Sequence, residues 1–167
     1  MTAATPAVDC APMTADTRAA AEAVLGPFLA GDAHYRASSA AYGDGGAPAL
    51  ARALDLFLAR PEIGFVWLAR THASGAPTTV GACVVCHAIS TSRGTLVAKL
   101  DDVTIRDGWQ GRGIGGAMLG ALAEHLRARG FSRIDSACHR ANAGAWRFYE
   151  RQGFRPLDEE RISLLIE

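Results

Sequence analysis

The sequence predicts an α/β (α+β) fold, with a mixed, mostly antiparallel central sheet and helices on both faces. Its 167 residues suit one domain, spanning 1–167, with its own hydrophobic core. Apolar, β-branched runs separated by short turns follow one another through the middle of the chain, as in antiparallel strands. A strand–helix–strand order comes next, and it adds a parallel crossover to the sheet.

The composition excludes several classes of protein. Hydrophobic residues make up 49% and charged residues 20% of the chain, as in a globular protein rather than a disordered one. Lys plus Arg equals Asp plus Glu, at 17 each, so no basic surface indicates nucleic acid or an anionic membrane. No apolar run reaches the ~18 residues of a membrane span, and no secretory signal opens the chain. The expected location is therefore cytoplasmic, with the four cysteines reduced.

The N-terminal part of the chain predicts a strand and then a helix. Residues 1–6 are expected to be a loose terminus. Residues 8–11 fit a short first strand. Thr14 or Asp16 is a suitable cap for a helix that runs to about Leu29.

Residues 31–48 are predicted to form a polar, aromatic loop. Loops placed between helices often carry binding residues, so this segment is a candidate for substrate contacts, and an ordinary solvated connector is the alternative. Its candidate contact residues are His34, Tyr35, Ser38, Ser39 and Tyr42.

The remaining helices and strands are predicted from the spacing of apolar residues and from the turn-forming residues between them. Apolar residues three and four apart predict helices, and β-branched runs bounded by Gly, Pro and Ser predict strands. The predicted order is a helix at 49–59, strands at 63–70, 79–89 and 96–105, a helix from 114 to about 129, a strand at 132–138, a helix at 142–152 and a terminal strand at 161–166.

A Gly-rich turn at 111–116 joins the long strand at 96–105 to the next helix. Glycines there let backbone N–H groups approach an anion, and the first N–H groups of a helix carry the positive end of its dipole. Glycines are also common in ordinary turns, so this turn alone is a weak indication of an anion-binding site. Neither the dinucleotide fingerprint G-x-G-x-x-G nor the ATP-type ending G-K-[ST] is present.

Two motifs together resemble one family. Gln110-x-x-Gly113-x-Gly115 resembles the acyl-CoA pyrophosphate loop of the GNAT superfamily of N-acetyltransferases. The stretch from Asn142 to Phe154 is similar to the signature N-x-x-A-x-x-F-Y-x-x-x-G-F of the same superfamily, although Phe-Tyr alone would indicate core packing. Gln110 departs from the commoner Arg and binds phosphate without charge assistance.

The resemblance implies a GNAT-like acyl-CoA fold and acetyl-CoA as co-substrate. The long strand would splay from its neighbour and offer backbone groups to the pantetheine arm and the acetyl carbonyl, while the glycine loop holds the pyrophosphate. The expected acetyl-CoA-binding residues are Val103, Thr104, Ile105, Gln110, Gly111, Arg112, Gly113, Ile114, Gly115, Gly116, Asn142, Ala145, Tyr149 and Arg151.

Asp101, Asp102 and Tyr149 are the expected catalytic residues. Two adjacent carboxylates interrupt an apolar strand, which is costly unless they have a partner or a function. They would assist removal of a proton from an amine, and Tyr149 would donate to the departing CoA thiolate. Asp101 is favoured over Asp102 because it shares strand parity with Val103 and matches the family's Glu position. A bulge in the strand would undo that parity argument.

The cysteines and histidines that could act as metal ligands or nucleophiles are better explained by packing in the core. Cys83-x-x-Cys86 has half of a zinc-knuckle spacing, but residues three apart on a strand face opposite sides and no second pair has metal-site spacing. Cys138 beside His139 is a weak candidate nucleophile for the same geometric reason. His87, inside an apolar strand, fits a half-buried core residue. No metal site is therefore expected.

The predicted function is N-acetylation of a primary amine of a small molecule in a ternary complex with acetyl-CoA. The Asp101-Asp102 pair looks like the Glu-Asp pair of family members that act on free amines such as polyamines and amino sugars. Acetylation of a protein or peptide amine, and a non-catalytic acyl-CoA-binding module, are the alternatives. The acceptor, the acyl-chain preference and the oligomeric state, including a homodimer, stay open.

Overall fold

The computed structural model describes residues 6–72 and 75–166. Part of the expected loose terminus and part of the turn at 74–77 lie outside these residues. The described strands are β1 Val8–Pro12, β2 Gly64–Thr71, β3 Thr78–Ser90, β4 Thr95–Ile105 and β5 Phe131–Ser136. The described helices are α1 Arg18–Gly31, α2 Ala33–Ser39, α3 Gly46–Ala59, α4 Ile114–Ala128 and α5 Ala143–Arg151, with a short 3-10 turn at Ala15–Thr17.

The strands form one sheet in the order β1-β2-β3-β4-β5. The first four strands pair antiparallel, and β5 pairs parallel with β4 after the α4 crossover. A parallel pair needs a long connection, and the helix supplies it. The predicted mixed, mostly antiparallel sheet is therefore confirmed.

Helices cover both faces of the sheet, as predicted. On one face, Ile114, Met118 and Leu122 of α4 pack on the apolar side chains of the central strands. On the other face, the buried residues of α1 and α3 form a second cluster that includes Leu25 and Leu54. The α4 side is also tied by a hydrogen bond, because the Trp67 indole N–H donates to the Met118 carbonyl at 3.1 Å.

The segment predicted as a loop contains a helix. Seven residues form α2, and α3 begins at Gly46, three residues before the expected start. The Asp32 side chain accepts a hydrogen bond from the Tyr35 amide at 2.7 Å, so it caps α2. Asp32 is a favourable N-cap residue, and no Gly or Pro follows it within the length of α2, so the sequence does contain a signal for the start of this helix. The polar composition of the segment favours a loop instead, which is why the helix is not predicted.

The predicted terminal strand at 161–166 is wrong. These residues are irregular and exposed, and β5 is the last strand of the described sheet. Ile162, Leu164 and Ile166 give the segment strand propensity, but such propensity depends on a partner strand and a surface to pack on. Among the described residues, no helix has the length and apolar character that crossing a membrane requires.

Candidate active site

The N-terminus of α4 is open to an anion. Gly113 is its N-cap, with a left-handed backbone at φ +78° that glycine adopts without steric cost. No side chain of the described residues caps this helix end. Its first N–H groups are therefore available to a ligand and carry the positive end of the helix dipole.

The start of α4 also lies close to α5. A Cβ on Gly115 would stand 3.0 Å from the Phe148 ring, so a larger residue there would push the two helices apart. Between them runs a groove of about 370 Å³, bounded by the glycine loop and by Arg151. A second groove of about 480 Å³ continues from it along the end of β4.

The two grooves bring together the expected acetyl-CoA-binding residues, with Arg112 as the exception. The lining positions are Val103, Thr104, Ile105, Gln110, Gly111, Gly113, Ile114, Gly115, Gly116, Asn142, Ala145, Tyr149 and Arg151. The Arg112 guanidinium instead stacks on the Trp109 ring, 4.9 Å from its centroid. The Gln110 amide donates to the Ile105 carbonyl at 3.1 Å, which braces the loop against the end of β4.

The strands separate at the grooves, as expected. Pairing between β4 and β5 ends at Leu100 and Ser136, whereas β4 continues to Ile105. Past that point, the β4 backbone groups that face β5 have no partner in the ladder. Val103, Thr104 and Ile105 of this end of β4 line the second groove. Apart from the Ile105 carbonyl, which accepts from Gln110, their backbone groups on this side can hydrogen-bond an extended ligand.

A β-bulge interrupts β4 at the two carboxylates. Ala82 pairs with Thr104 and Val84 with Asp101, so Asp102 and Val103 together face one residue of β3. Asp102 has φ +52°, which is the one positive φ of a non-glycine residue in the described ranges. The parity argument that favoured Asp101 therefore does not apply.

The two carboxylates differ in environment. Burial raises the pKa of Asp102 to about 6, the charge of Asp101 adds to the rise, and Arg161 opposes it. Asp101 has a side chain that is 49% exposed, with Arg161 Nη1 3.9 Å from its Oδ1. Partial burial raises the pKa of Asp101 too, against the positive charges of Arg161 and Lys99. Asp102 is thus better poised to accept a proton near neutral pH.

Tyr149 lines the second groove from α5. Its ring packs between Phe148 and Phe154, with centroids 5.3 and 5.1 Å away. Burial raises the pKa of Tyr149 to about 12, so the phenol stays protonated at neutral pH. Asn142 caps the same helix by accepting from the Ala145 amide at 3.0 Å.

The α1–α2 region forms a wall that the motifs did not indicate. Phe28 and Asp32 line the second groove opposite α5. Tyr35 packs on Phe28, with ring centroids 5.7 Å apart. Burial raises the pKa of Tyr35, and the charge of Asp102 raises it further, which places this phenol near the carboxylates. From residues 31–48, all of which the structure describes, Asp32 alone lines the second groove. Substrate contacts from His34, Tyr35, Ser38, Ser39 and Tyr42 stay a prediction, which the polar, aromatic composition of the segment suggests.

The cysteines of the Cys83-x-x-Cys86 spacing are free thiols on a strand, one buried and one half-buried. Cys10 and Cys138 are also free and half-buried. In residues 6–72 and 75–166, no three His, Cys, Asp or Glu side chains come together as metal ligands would.

A sequence model of the acetyltransferase (GNAT) family matches residues 34–154, which is more than half of the chain. The chain belongs to the GNAT acetyltransferase family. This family consists of transferases that use acetyl-CoA as co-substrate, and the resemblance carried by the two motifs is confirmed. No curated protein sequence matches the chain.

Solved structures of acetyltransferases share its fold. A ribosomal-protein-alanine N-acetyltransferase from Brucella melitensis biovar Abortus 2308 has 19% identity and a TM-score of 0.67, over 96% of this chain and 100% of that one. A glucosamine-6-phosphate N-acetyltransferase from Arabidopsis thaliana has 13% identity and a TM-score of 0.66, over 96% and 99%. An aminoglycoside acetyltransferase from an uncultured soil metagenomic sample has 15% identity and a TM-score of 0.65, over 96% and 95%. At these identities the likeness extends to the fold.

Proposed function

We propose that this GNAT acetyltransferase moves an acetyl group from acetyl-CoA to a primary amine of a small molecule, by direct attack in a ternary complex. The observation that carries the proposal is the bulged carboxylate pair of Asp101 and Asp102, which directly precedes Val103 in β4. Val103 and Tyr149 line the same groove. Carboxylates attract a cationic amine and can take its proton, and a phenol can donate to a leaving thiolate.

The grooves fit acetyl-CoA. The uncapped α4 N-terminus and the left-handed Gly113 form a cradle for phosphate. The unpaired end of β4 offers backbone hydrogen-bonding groups along the second groove. Acetyl-CoA, when bound, supplies an acetyl thioester that is open to attack by an amine nitrogen.

Proton removal falls to Asp102 in this proposal. An alkyl amine has a pKa near ~10, so its free base at pH 7 lies about 4 kcal/mol uphill. Asp102, with a pKa of about 6, is largely ionised at pH 7 and still basic enough to share the proton. Asp101 contributes negative charge that raises the basicity of its neighbour and attracts the ammonium group.

Tyr149 assists departure of the thiolate by hydrogen bonding. Its pKa of about 12 lies above the ~8.5 of a free thiol, so full proton transfer to sulfur is uphill by roughly 5 kcal/mol. A partial transfer that follows the charge developing on sulfur avoids most of that cost. Tyr149 therefore acts as a positioned hydrogen-bond donor.

A screen of CoA release decides the acceptor class. The panel contains alkyl diamines, amino sugars and peptides with free N-termini or lysines, and each amine is matched by the alcohol of the same skeleton. We expect turnover of small amines, with the matched alcohols inert. Turnover of peptides alone would reject the proposal in favour of a protein or peptide acetyltransferase. Tight acetyl-CoA binding without turnover of any acceptor would favour a non-catalytic acyl-CoA-binding module.

A further inference from the structure

Ser136 ends β5 at the place where the two parallel strands separate. Its backbone is the last of β5 to pair with β4, opposite Leu100. Its hydroxyl oxygen is buried and has no hydrogen-bond partner of standard length and angle among the described residues. A buried hydroxyl without a partner costs stability, so such a group in a site calls for a functional explanation.

The Ser136 hydroxyl lies close enough to the Tyr149 phenol to influence the pKa of that phenol. The Ser136 side chain acts on Tyr149 as a hydrogen-bonding group that favours the ionised phenol. Burial of the phenol and the negative charge of Asp101 act in the opposite sense, because both raise the pKa of Tyr149. Ser136 is therefore the one neighbour among these that stabilises negative charge on the phenolic oxygen.

We propose that Ser136 is a positioning residue for Tyr149, donating a hydrogen bond to its phenolic oxygen while that phenol donates to the sulfur of the leaving group. This inference rests on the proposed acetyl transfer. Hydrogen bonds of this kind are often long in the resting enzyme and tighten as charge develops. The position of Ser136 suits that role, because its backbone is held in the β-ladder and does not depend on the substrate.

The protons balance in this scheme. As the amine nitrogen bonds to the acetyl carbon, the carbon–sulfur bond breaks and its electron pair goes to sulfur. Tyr149 shares its proton with sulfur through a hydrogen bond, and Ser136 keeps its own proton while hydrogen-bonding the phenolic oxygen, on which partial negative charge develops. The ammonium group gives one proton to Asp102 before the attack, and Asp102 passes it to water. The nitrogen gives Asp102 a second proton as the amide forms, CoA leaves as the thiolate, and Tyr149 keeps its own proton.

A double-mutant cycle tests the proposal with whichever acceptor the wild type acetylates. Ser136→Ala should lower kcat by about tenfold, a modest share of the effect usual for a positioned acid, with the acetyl-CoA Kd unchanged. In a Tyr149→Phe background, the same substitution should change kcat by less than about twofold, because the phenolic oxygen that it serves is absent. Ser136→Thr keeps a hydroxyl on a strand-compatible side chain and should restore most of the activity.

The opposite results overturn the proposal in distinct ways. An equal loss from Ser136→Ala with and without the phenol would make Ser136 a packing residue. An unchanged kcat for Ser136→Ala in the wild-type background would remove the hydroxyl from the reaction. Acetyl transfer to no acceptor by the wild type would reject the proposed function and this inference together. Turnover of peptides alone would reject only the small-molecule acceptor and leave the cycle measurable.

Discussion

Asp102 combines a left-handed backbone with a largely buried carboxylate. A left-handed backbone costs roughly 1–2 kcal/mol for most residues, but Asp and Asn adopt it more readily than others. The carboxylate is also disfavoured by burial and by the adjacent charge of Asp101. Both costs are concentrated at the candidate site, where strained and destabilised residues are typically found.

The pH dependence of activity should identify the base. With Asp102 as the base, kcat/KM for an alkyl amine should fall as pH drops through about 6, because protonated Asp102 accepts no proton. Asp102→Asn should remove that acidic limb and lower kcat/KM at pH 7 by roughly 10²–10⁴-fold. The measurement is a pH–rate profile with one amine substrate.

Asp101→Asn is the matched control for that experiment. Removing the Asp101 charge lowers the pKa of Asp102, so the acidic limb should move to lower pH while the activity at pH 7 falls less. Loss of the limb in Asp101→Asn but not in Asp102→Asn would assign the base to Asp101.

Asp102 should also make stability depend on pH. Its pKa rises from an ordinary 3.8 to about 6 on folding, a difference that corresponds to roughly 3 kcal/mol. The folded state therefore binds the proton more tightly than the unfolded state, and stability falls as pH rises from about 4 to about 6.

Asp102→Asn, which keeps the shape and the left-handed tolerance, isolates this contribution. Urea unfolding should show the variant up to about 3 kcal/mol more stable than the wild type at pH 7, and nearly equal to it at pH 4. A stability difference that does not change between these pH values would show that the carboxylate is not destabilised by folding.

The phosphate cradle belongs to the start of α4, and Gly113 tests it. Gly113→Asp places a negative charge at the positive end of the helix and should weaken acetyl-CoA binding by at least about 100-fold. Gly113→Asn matches it in size and in tolerance of φ +78°, without the charge, and should weaken binding much less. Calorimetric titration of both variants gives the comparison, and equal affinities would mean that no anion binds at this helix end.

The local patterns of β4, α4 and α5 could be predicted because each element carries its own signals. The glycines before α4 and the Asn142 cap of α5 are sequence-adjacent to the helices that they begin. The β-bulge could not be predicted, since it depends on how β3 and β4 align across the ladder. The state of 161–166 depends likewise on a partner strand that the segment itself does not specify.

The wall formed by α1 and α2 could be predicted only as a region. Composition indicated that 31–48 would meet substrate, but the proximity of Tyr35 to Asp102 arises from the packing of α2 beside the sheet. Side chains that converge from distant parts of the chain leave no shared pattern in the sequence. The buried hydroxyl of Ser136 beside Tyr149 is a second case of this kind.

The C-terminal segment joins separate parts of the molecule through charge. Arg161 lies 3.9 Å from Asp101, and Glu160 pairs with Arg140 in the connection between β5 and α5. Arg161 also lowers the pKa of Asp102. The chain end therefore influences the basicity of a residue in the strand bulge.

Arg161→Gln should shift the acidic limb of kcat/KM to higher pH, because the positive charge that holds down the pKa of Asp102 is lost. Half-exposed charges are screened by salt, so the shift should shrink as ionic strength rises. Arg127→Gln removes the same charge from an exposed ion pair with Glu124 on α4, and should leave the limb in place. If the acidic limb is unchanged in Arg161→Gln at low salt, the C-terminal segment does not influence the pKa of Asp102.

One thiol of the protein is buried and three are half-buried, which has a practical consequence for assay design. Burial raises the pKa of Cys10, Cys86 and Cys138, and that of the fully buried Cys83 most strongly. Since the thiolate is the reactive form, these cysteines should react slowly with aromatic disulfide reagents at neutral pH. The protein should therefore give a low chromogenic background, and continuous colorimetric detection of each CoA thiol released is practical without blocking any cysteine.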